Sequence, residues 1–158
     1  MSKYALVVFD LDGTLVDSDL ALIKVGLKMT ETFLAKKDLS IDDFLFLNGP
    51  SLDESLPLIF PGVPVNKLRE KYYELAPDSI KDMTLFKNVV TVLDELKAQK
   101  VQLAIFTSRS RMSVELILKQ HGLTHYFKEV VCGDDGFSKK PSGEGLAYIS
   151  DKLKVARE

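Results

Sequence analysis

The feature that most constrains this chain is a short apolar run that ends at a pair of aspartates. Residues 4–9 are apolar throughout and rich in aromatic and β-branched side chains, and the run stops at Asp10. A run that is too short for a helix and apolar at every position predicts a strand buried on both faces, as in a parallel sheet. Because ligands bind beyond the carboxyl ends of parallel strands, Asp10 and Asp12 are the first candidates for a functional site.

Two later runs predict further strands of the same sheet. One is residues 101–106, and the other is the shorter run 130–132 within residues 128–132. Between them, residues 111–121 carry apolar side chains at helical spacing, and Gly122 is suited to end the helix. Two strands joined through a helix by short connections are parallel, with a right-handed crossover. The sequence therefore predicts an α/β fold with a Rossmann-like parallel sheet.

The segment from residue 18 to residue 81 has a different character, because it contains no strand-like run of comparable quality. Its apolar side chains recur at helical spacing in four stretches, and breaks that contain Gly and Pro follow the second and third of them, at residues 48–50 and 60–64. We therefore expect two domains: an α/β core of residues 1–17 and 82–158, and a helical cap of residues 18–81. An insertion placed soon after the first strand is a candidate lid over the carboxyl edge of the sheet.

Composition excludes several classes of partner and site. The chain has 158 residues with 21 Lys+Arg and 23 Asp+Glu, and this near balance gives no electrostatic case for nucleic acid or an anionic membrane. The longest apolar stretch, residues 4–9, is far too short to span a bilayer. With no export signal recognised, a cytoplasmic location is the default expectation. The single cysteine, Cys132, rules out an internal disulfide and a cysteine-based zinc site.

The residues that follow the three predicted strands favour phosphate chemistry. A carboxylate pair such as Asp10 and Asp12 suits Mg²⁺, beside which one carboxylate can attack a phosphoryl group while the other transfers a proton. Thr107 and Ser108 offer hydroxyl and backbone N–H groups to an anion, and Lys140 follows the third strand. Each pattern alone has an ordinary structural interpretation as a turn, a helix cap or a solvated lysine, so the argument rests on their combination.

In this order and at these sheet positions, residues 10–14 (Asp-Leu-Asp-Gly-Thr), Thr107-Ser108 and Lys140-Pro141 resemble the first three motifs of the haloacid dehalogenase superfamily. The wider sequence is similar to the phosphoglycolate phosphatase and β-phosphoglucomutase branch, which carries a helical cap after the first strand. The resemblance covers essentially the whole chain. It implies a phosphatase that cleaves a small phosphorylated metabolite through an aspartyl-phosphate, with Mg²⁺ as cofactor.

The resemblance also implies a role for each site residue. Asp10 would be the nucleophile, Asp12 the general acid and base, and Lys140 the catalytic lysine that neutralises the phosphate. Mg²⁺ would be bound by the Asp10 side chain and the Asp12 backbone carbonyl. The residues expected to contact the substrate are Thr14, Thr107, Ser108, Arg109 and Asn48.

One motif that the resemblance implies has no counterpart in the sequence. It is a further strand ending in Gly-Asp, whose acidic residues complete the Mg²⁺ site, and residues 133–135 (Gly-Asp-Asp) are not expected to replace it because they precede the lysine. Without that strand the first strand becomes an exposed apolar edge, which invites self-association. One alternative to a phosphatase is therefore an incomplete or non-catalytic relative that binds phosphate or a partner. Another is a phosphomutase, because that branch shares all three motifs.

Overall fold

The computed structural model describes residues 4–34, 39–45 and 50–156. Its strands are β1 (Leu6–Phe9), β2 (Val16–Asp17), β3 (Thr84–Leu85), β4 (Gln102–Phe106) and β5 (Glu129–Val131). Its helices are α1 (Asp19–Thr30), α2 (Ile41–Leu45), α3 (Leu52–Ile59), α4 (Val65–Ile80), α5 (Val89–Ala98), α6 (Arg111–Gln120) and α7 (Glu144–Lys152). Among these described helices, none has the length and apolar character needed to cross a membrane.

Three parallel strands form the main sheet, in the order β1-β4-β5. Phe9 pairs with Ile105, and Ile105 pairs with Val130, so the carboxyl ends of the three strands meet at one edge. The helix α6 connects β4 to β5 and is followed by Gly122, whose φ of 68° is the left-handed conformation that suits a glycine after a helix. The predicted α/β fold with a Rossmann-like parallel sheet is confirmed.

The strands β4 and β1 differ in how well the fold covers them. In β4, which lies between the other two strands, Leu103, Ala104 and Ile105 are buried. All four residues of β1 are only partly buried, whereas the apolar run predicted a strand buried on both faces. Within the part of the chain that the structure describes, β1 is hydrogen-bonded to a neighbour on one side only, which is β4, and this explains the difference.

The chain divides into two compact units. The first comprises residues 1–16 and 85–158 and contains the parallel sheet with α5, α6 and α7. The second comprises residues 17–84 and contains α1 to α4, and the predicted insertion of residues 18–81 falls within it. The short strands β2 and β3 pair with each other where the chain passes from one unit to the other.

Each unit has a buried apolar core of its own. The core of the first unit includes Ala104, Phe106, Val131 and Ile149. The core of the second unit includes Leu22, Val25, Met29, Phe44, Leu56, Ile59, Phe60, Leu68, Tyr72 and Ala76. Gly26 permits the packing of α1 against α2, because a Cβ at this position would lie 2.1 Å from the ring of Phe44.

Candidate active site

The carboxyl edge of the sheet brings the predicted nucleophile next to the second motif. Asp10 directly follows β1, and Thr107 directly follows β4. Since Phe9 pairs with Ile105, the two residues leave neighbouring strands at the same edge. The Asp10 side chain is 46% exposed, and its Oδ1 accepts a hydrogen bond from the backbone N–H of Leu11 at 2.8 Å. The other oxygen, Oδ2, is the one that faces Lys140.

Lys140 is the cation that faces Asp10. Its Nζ lies 3.2 Å from Asp10 Oδ2 and 4.9 Å from the centroid of the Phe106 ring. Because Phe106 is the last residue of β4, the ammonium group reaches the sheet edge from the loop before α7. Asp10 and Lys140 line a groove of about 420 Å³ whose walls include Phe9, Phe106 and Leu146. The ion pair is therefore the polar end of a largely apolar groove.

Asp12 forms a different ion pair, with Arg109. The Nε of Arg109 donates to Oδ2 at 2.8 Å and its Nη2 donates to Oδ1 at 2.6 Å, so both carboxylate oxygens are engaged. Only 7% of the Arg109 side chain and 15% of the Asp12 side chain are exposed. The sequence placed both residues at this edge and predicted that Arg109 contacts the substrate. The sequence could not reveal that Arg109 pairs with Asp12, because this depends on the conformations of the loops after β1 and β4.

A tight turn after β1 fixes the backbone around Asp12. The carbonyl of Leu11 accepts hydrogen bonds from the N–H groups of Thr14 at 3.3 Å and Val16 at 3.0 Å. Gly13 has a φ of 70°, a conformation that strains residues with a Cβ. Thr14, a predicted substrate contact, is exposed in this turn.

Hydrogen bonds to its backbone and to its side chain fix the position of Thr107. It is buried, and its backbone N–H donates to the carbonyl of Val131 at 3.0 Å. Its Oγ1 accepts a hydrogen bond from the backbone N–H of Arg109 at 3.2 Å. A hydroxyl oxygen that already accepts a bond can still donate its own proton, and an anion is a suitable acceptor for it.

Gly133 shapes the loop that follows β4, a role that the sequence analysis missed. Its N–H donates to the carbonyl of Arg109 at 2.9 Å, and a Cβ at this position would lie 2.1 Å from the carbonyl oxygen of Ser108. A side chain at this position would overlap the Ser108 backbone, so this arrangement of the two loops requires a glycine. The sequence does show a glycine just beyond the third predicted strand, but it was interpreted only as part of the Gly-Asp-Asp motif at residues 133–135.

The two aspartates after Gly133 bind Arg111. The N–H of Arg111 donates to Asp134 Oδ1 at 2.8 Å, and its Nε donates to Asp135 Oδ1 at 2.9 Å. Burial raises the pKa of Asp135, but the hydrogen bonds from Arg111 and the Cys132 N–H more than offset this, so the pKa lies below its ordinary value. Burial also raises the pKa of Cys132 to about 12, which keeps its thiol neutral. These contacts give both carboxylates a structural role at the start of α6.

The structure places the predicted site residues in two ion pairs and on one loop. Asp10 pairs with Lys140 and Asp12 with Arg109, while Thr107 and Ser108 lie on the loop after β4. Asn48, the predicted contact from the helical segment, lies outside the described residues. Within residues 4–34, 39–45 and 50–156, no three His, Cys, Asp or Glu side chains cluster as ligands of a metal ion.

Comparison with known proteins gives the family. Residues 7–158 match the profile described as haloacid dehalogenase-like hydrolase. A phosphoglycolate phosphatase of Vibrio cholerae is 30% identical over 170 residues, covering 100% of this chain and 74% of that protein. The pyrophosphatase PpaX of Bacillus thuringiensis is 31% identical over 145 residues, covering 91% of this chain and 66% of that protein.

A solved structure agrees with these relatives. The crystal structure of a Bacteroides fragilis protein assigned to the haloacid dehalogenase-like hydrolases superimposes with a TM-score of 0.87 at 25% identity. The similarity covers 98% of this chain and 75% of that one. The profile spans nearly the whole chain, and the relatives share both its sequence and its fold. The chain therefore belongs to the haloacid dehalogenase-like hydrolases, in their phosphoglycolate phosphatase branch, and is an enzyme of the phosphatase class.

Proposed function

We propose that the chain hydrolyses a phosphate monoester of a small metabolite through an aspartyl-phosphate formed on Asp10. The observation that carries the proposal is the 3.2 Å contact between Asp10 Oδ2 and the Lys140 ammonium, at the sheet edge where Thr107 follows the neighbouring strand. A half-exposed carboxylate beside a cation and hydrogen-bond donors is suited to attack a phosphoryl group. The cation and the donors offset the negative charge of the phosphoryl oxygens.

In the first half-reaction, a carboxylate oxygen of Asp10 attacks phosphorus, and the bond between phosphorus and the ester oxygen breaks. The ester oxygen leaves as an alcohol after it takes a proton from Asp12. The Lys140 ammonium, the Thr107 hydroxyl and the Ser108 N–H bind the non-bridging oxygens during this step. The products are the free alcohol and the aspartyl-phosphate.

In the second half-reaction, a water molecule attacks the phosphorus of the aspartyl-phosphate. Asp12, which is now a carboxylate, takes a proton from this water. The bond between phosphorus and the Asp10 oxygen breaks, which releases orthophosphate and restores the Asp10 carboxylate.

The donor chemistry at the sheet edge fits a hydrated Mg²⁺ ion. Asp10 supplies a carboxylate that solvent reaches, and the backbone carbonyl of Asp12 would supply a second oxygen, while the Asp12 carboxylate is engaged by Arg109. Such a small set of protein oxygens suits Mg²⁺, which keeps several of its waters. When bound, the ion offsets the repulsion between an anionic nucleophile and an anionic substrate.

The relatives support the proposed substrate class. Their names, phosphoglycolate phosphatase and pyrophosphatase, refer to small phosphate compounds, which supports a small phosphorylated metabolite as the substrate of this chain. We further propose that the second unit, residues 17–84, serves as the helical cap of the enzyme. Asn48, which falls within this segment of the sequence, is then a proposed substrate contact.

Self-association is the partner proposal that the fold supports. The apolar strand β1 is partly exposed, and β4 is its one hydrogen-bonded neighbour in the described part of the chain. A strand edge with these properties pairs readily with another chain.

The test of the proposed function is turnover of p-nitrophenyl phosphate across a Mg²⁺ titration, with the Asp10→Asn variant beside the parent. Asp10→Asn is expected to lower kcat by about 10³-fold or more, because the amide is not a nucleophile. The matched control is Asp78→Asn, the same chemical change in an exposed pair with Lys81, and it is expected to retain full activity. Circular dichroism verifies that both variants fold.

The outcomes separate the proposal from its alternatives. Full activity in Asp10→Asn would contradict the nucleophile assignment. A parent that binds orthophosphate but shows no turnover at any Mg²⁺ concentration would indicate a non-catalytic relative. A requirement for a bisphosphate activator, with transfer of the phosphoryl group between positions of one sugar, would indicate a phosphomutase.

A further inference from the structure

The proposed function gives Asp12 a role in proton transfer but assigns no role to Arg109, which forms an ion pair with it. The guanidinium meets the carboxylate through two parallel hydrogen bonds of 2.8 and 2.6 Å. Paired in this way, a planar guanidinium fixes both the position and the plane of a carboxylate, which a single contact does not. Asp10, by contrast, meets its lysine through one contact and remains about half exposed.

Arg109 is itself held on both sides by the loops beyond β4 and β5. Its backbone N–H donates to Thr107 Oγ1 at 3.2 Å, and its backbone carbonyl accepts a hydrogen bond from the Gly133 N–H at 2.9 Å. Its side chain is almost completely buried against Asp12. A side chain anchored in this way, with two donors directed at a carboxylate, is arranged to immobilise that carboxylate.

We propose that Arg109 is a positioning residue, which fixes the Asp12 carboxylate for proton transfer and affects the substrate only through Asp12. The inference rests on the proposed function in one respect, the assignment of Asp12 as the proton-transferring residue. This role differs from the one predicted from the sequence, which was that Arg109 contacts the substrate directly. The two roles make opposite statements about phosphate binding, so experiment can separate them.

The experiment is a double-mutant cycle of Arg109→Lys and Asp12→Asn, with kcat and KM for p-nitrophenyl phosphate and the dissociation constant of orthophosphate as readouts. Lysine keeps the charge but not the two-point geometry. In the parent background, Arg109→Lys is expected to lower kcat by about 10- to 100-fold, because small displacements of a catalytic group have effects of this size. The dissociation constant of orthophosphate is expected to change by less than about twofold.

In the Asp12→Asn background, the same replacement is expected to change kcat by less than about threefold, because the carboxylate through which Arg109 acts is absent. The matched control is Arg111→Lys, which replaces the arginine two positions along the chain, where the guanidinium binds Asp135. This variant is expected to retain the kcat of the parent. If Arg109 had only a structural role, Arg109→Lys would lower stability, and its effect on kcat would be the same with and without the Asp12 carboxylate.

Two kinetic results would overturn the proposal. One is orthophosphate binding that weakens about tenfold in Arg109→Lys while kcat at saturating substrate is unchanged, which identifies a substrate contact. The other is an equal loss of kcat with and without the Asp12 carboxylate, which means that Arg109 does not act through Asp12.

A readout without turnover separates this proposal from the proposed function. If the parent shows no phosphatase activity, the proposed function fails. Urea unfolding of the parent, the two single variants and the double variant then decides whether Arg109 holds Asp12. A non-zero coupling free energy between the two substitutions is expected for the bidentate pair. Additive effects on the free energy of unfolding would show that Arg109 does not hold Asp12 and would overturn the proposal.

Discussion

At the scale of single residues, Gly133 decides how closely the loops beyond β4 and β5 can approach. A Cβ at this position would lie 2.1 Å from the Ser108 carbonyl oxygen and 2.7 Å from its carbon, and both are backbone atoms that cannot move aside by a rotamer change. Gly133→Ala is therefore expected to lower the free energy of unfolding by about 1–3 kcal/mol. It is also expected to weaken orthophosphate binding, because it displaces the Ser108 N–H. Urea unfolding and calorimetric titration measure the two effects.

The control for Gly133→Ala is Gly143→Ala. A Cβ at Gly143 meets no atom within 4 Å, and its φ of −84° is ordinary for any residue. This variant is expected to match the parent in both measurements. Equal stability and equal orthophosphate affinity in Gly133→Ala would show that the two loops are not in the contact described.

The sequence located individual site residues better than it located their partners. Asp10 and Thr107 were identifiable as candidates because a polar residue directly after an apolar strand must lie at the sheet edge. Asp12 and Lys140 lie further along the loops, and Lys140 became a candidate mainly through the resemblance of the Lys140-Pro141 motif. Which carboxylate meets which cation depends on the loop conformations after β1 and β4, and no local pattern encodes these. The pair of Asp12 with Arg109 therefore emerged only from the folded chain.

At the scale of elements, the three strands of the main sheet were predictable because each is a distinct apolar run. The strands β2 and β3 were not, since each has two residues and a run of that length carries no periodicity. Helical spacing indicated the helices, which are stabilised mainly by an apolar face. The strand β1 is partly exposed, although its sequence predicted burial on both faces. The strand sequence could not indicate this, because pairing along the second edge of a strand depends on the rest of the sheet.

The exposed edge of β1 leads to a prediction about assembly. We expect the parent to self-associate as its concentration rises, and we expect Val7→Lys to keep it monomeric, because a charged side chain on an edge strand opposes pairing. Sedimentation velocity measures the distribution of species. The matched control is Val92→Lys, on α5 with 43% of the valine exposed, and it is expected to associate like the parent. A parent that is monomeric at every concentration would contradict the proposal.

At the scale of the whole molecule, the chain holds two separate apolar cores. The residues of one core belong to the α/β unit and those of the other to the helical unit. The proposed site residues Asp10, Thr107 and Lys140 all belong to the α/β unit. Damage to the helical core should therefore leave orthophosphate binding intact, whereas damage to the α/β core should weaken it.

Two cavity-forming substitutions test this division. Leu68→Ala removes a fully buried side chain from the helical core, and Ile149→Ala does the same in the α/β core, and each is expected to destabilise its own unit by about 2–5 kcal/mol. Hydrogen exchange followed by mass spectrometry is expected to show faster exchange in α1 and α4 for Leu68→Ala and in β4 for Ile149→Ala, because locally cooperative units open separately. Leu58→Ala, at an exposed leucine of the helical unit, is the control and should leave both patterns unchanged. Equal loss of protection in both units for either substitution would mean that the two cores unfold as one cooperative structure, and the helical core would then contribute to the stability of the phosphate site as well.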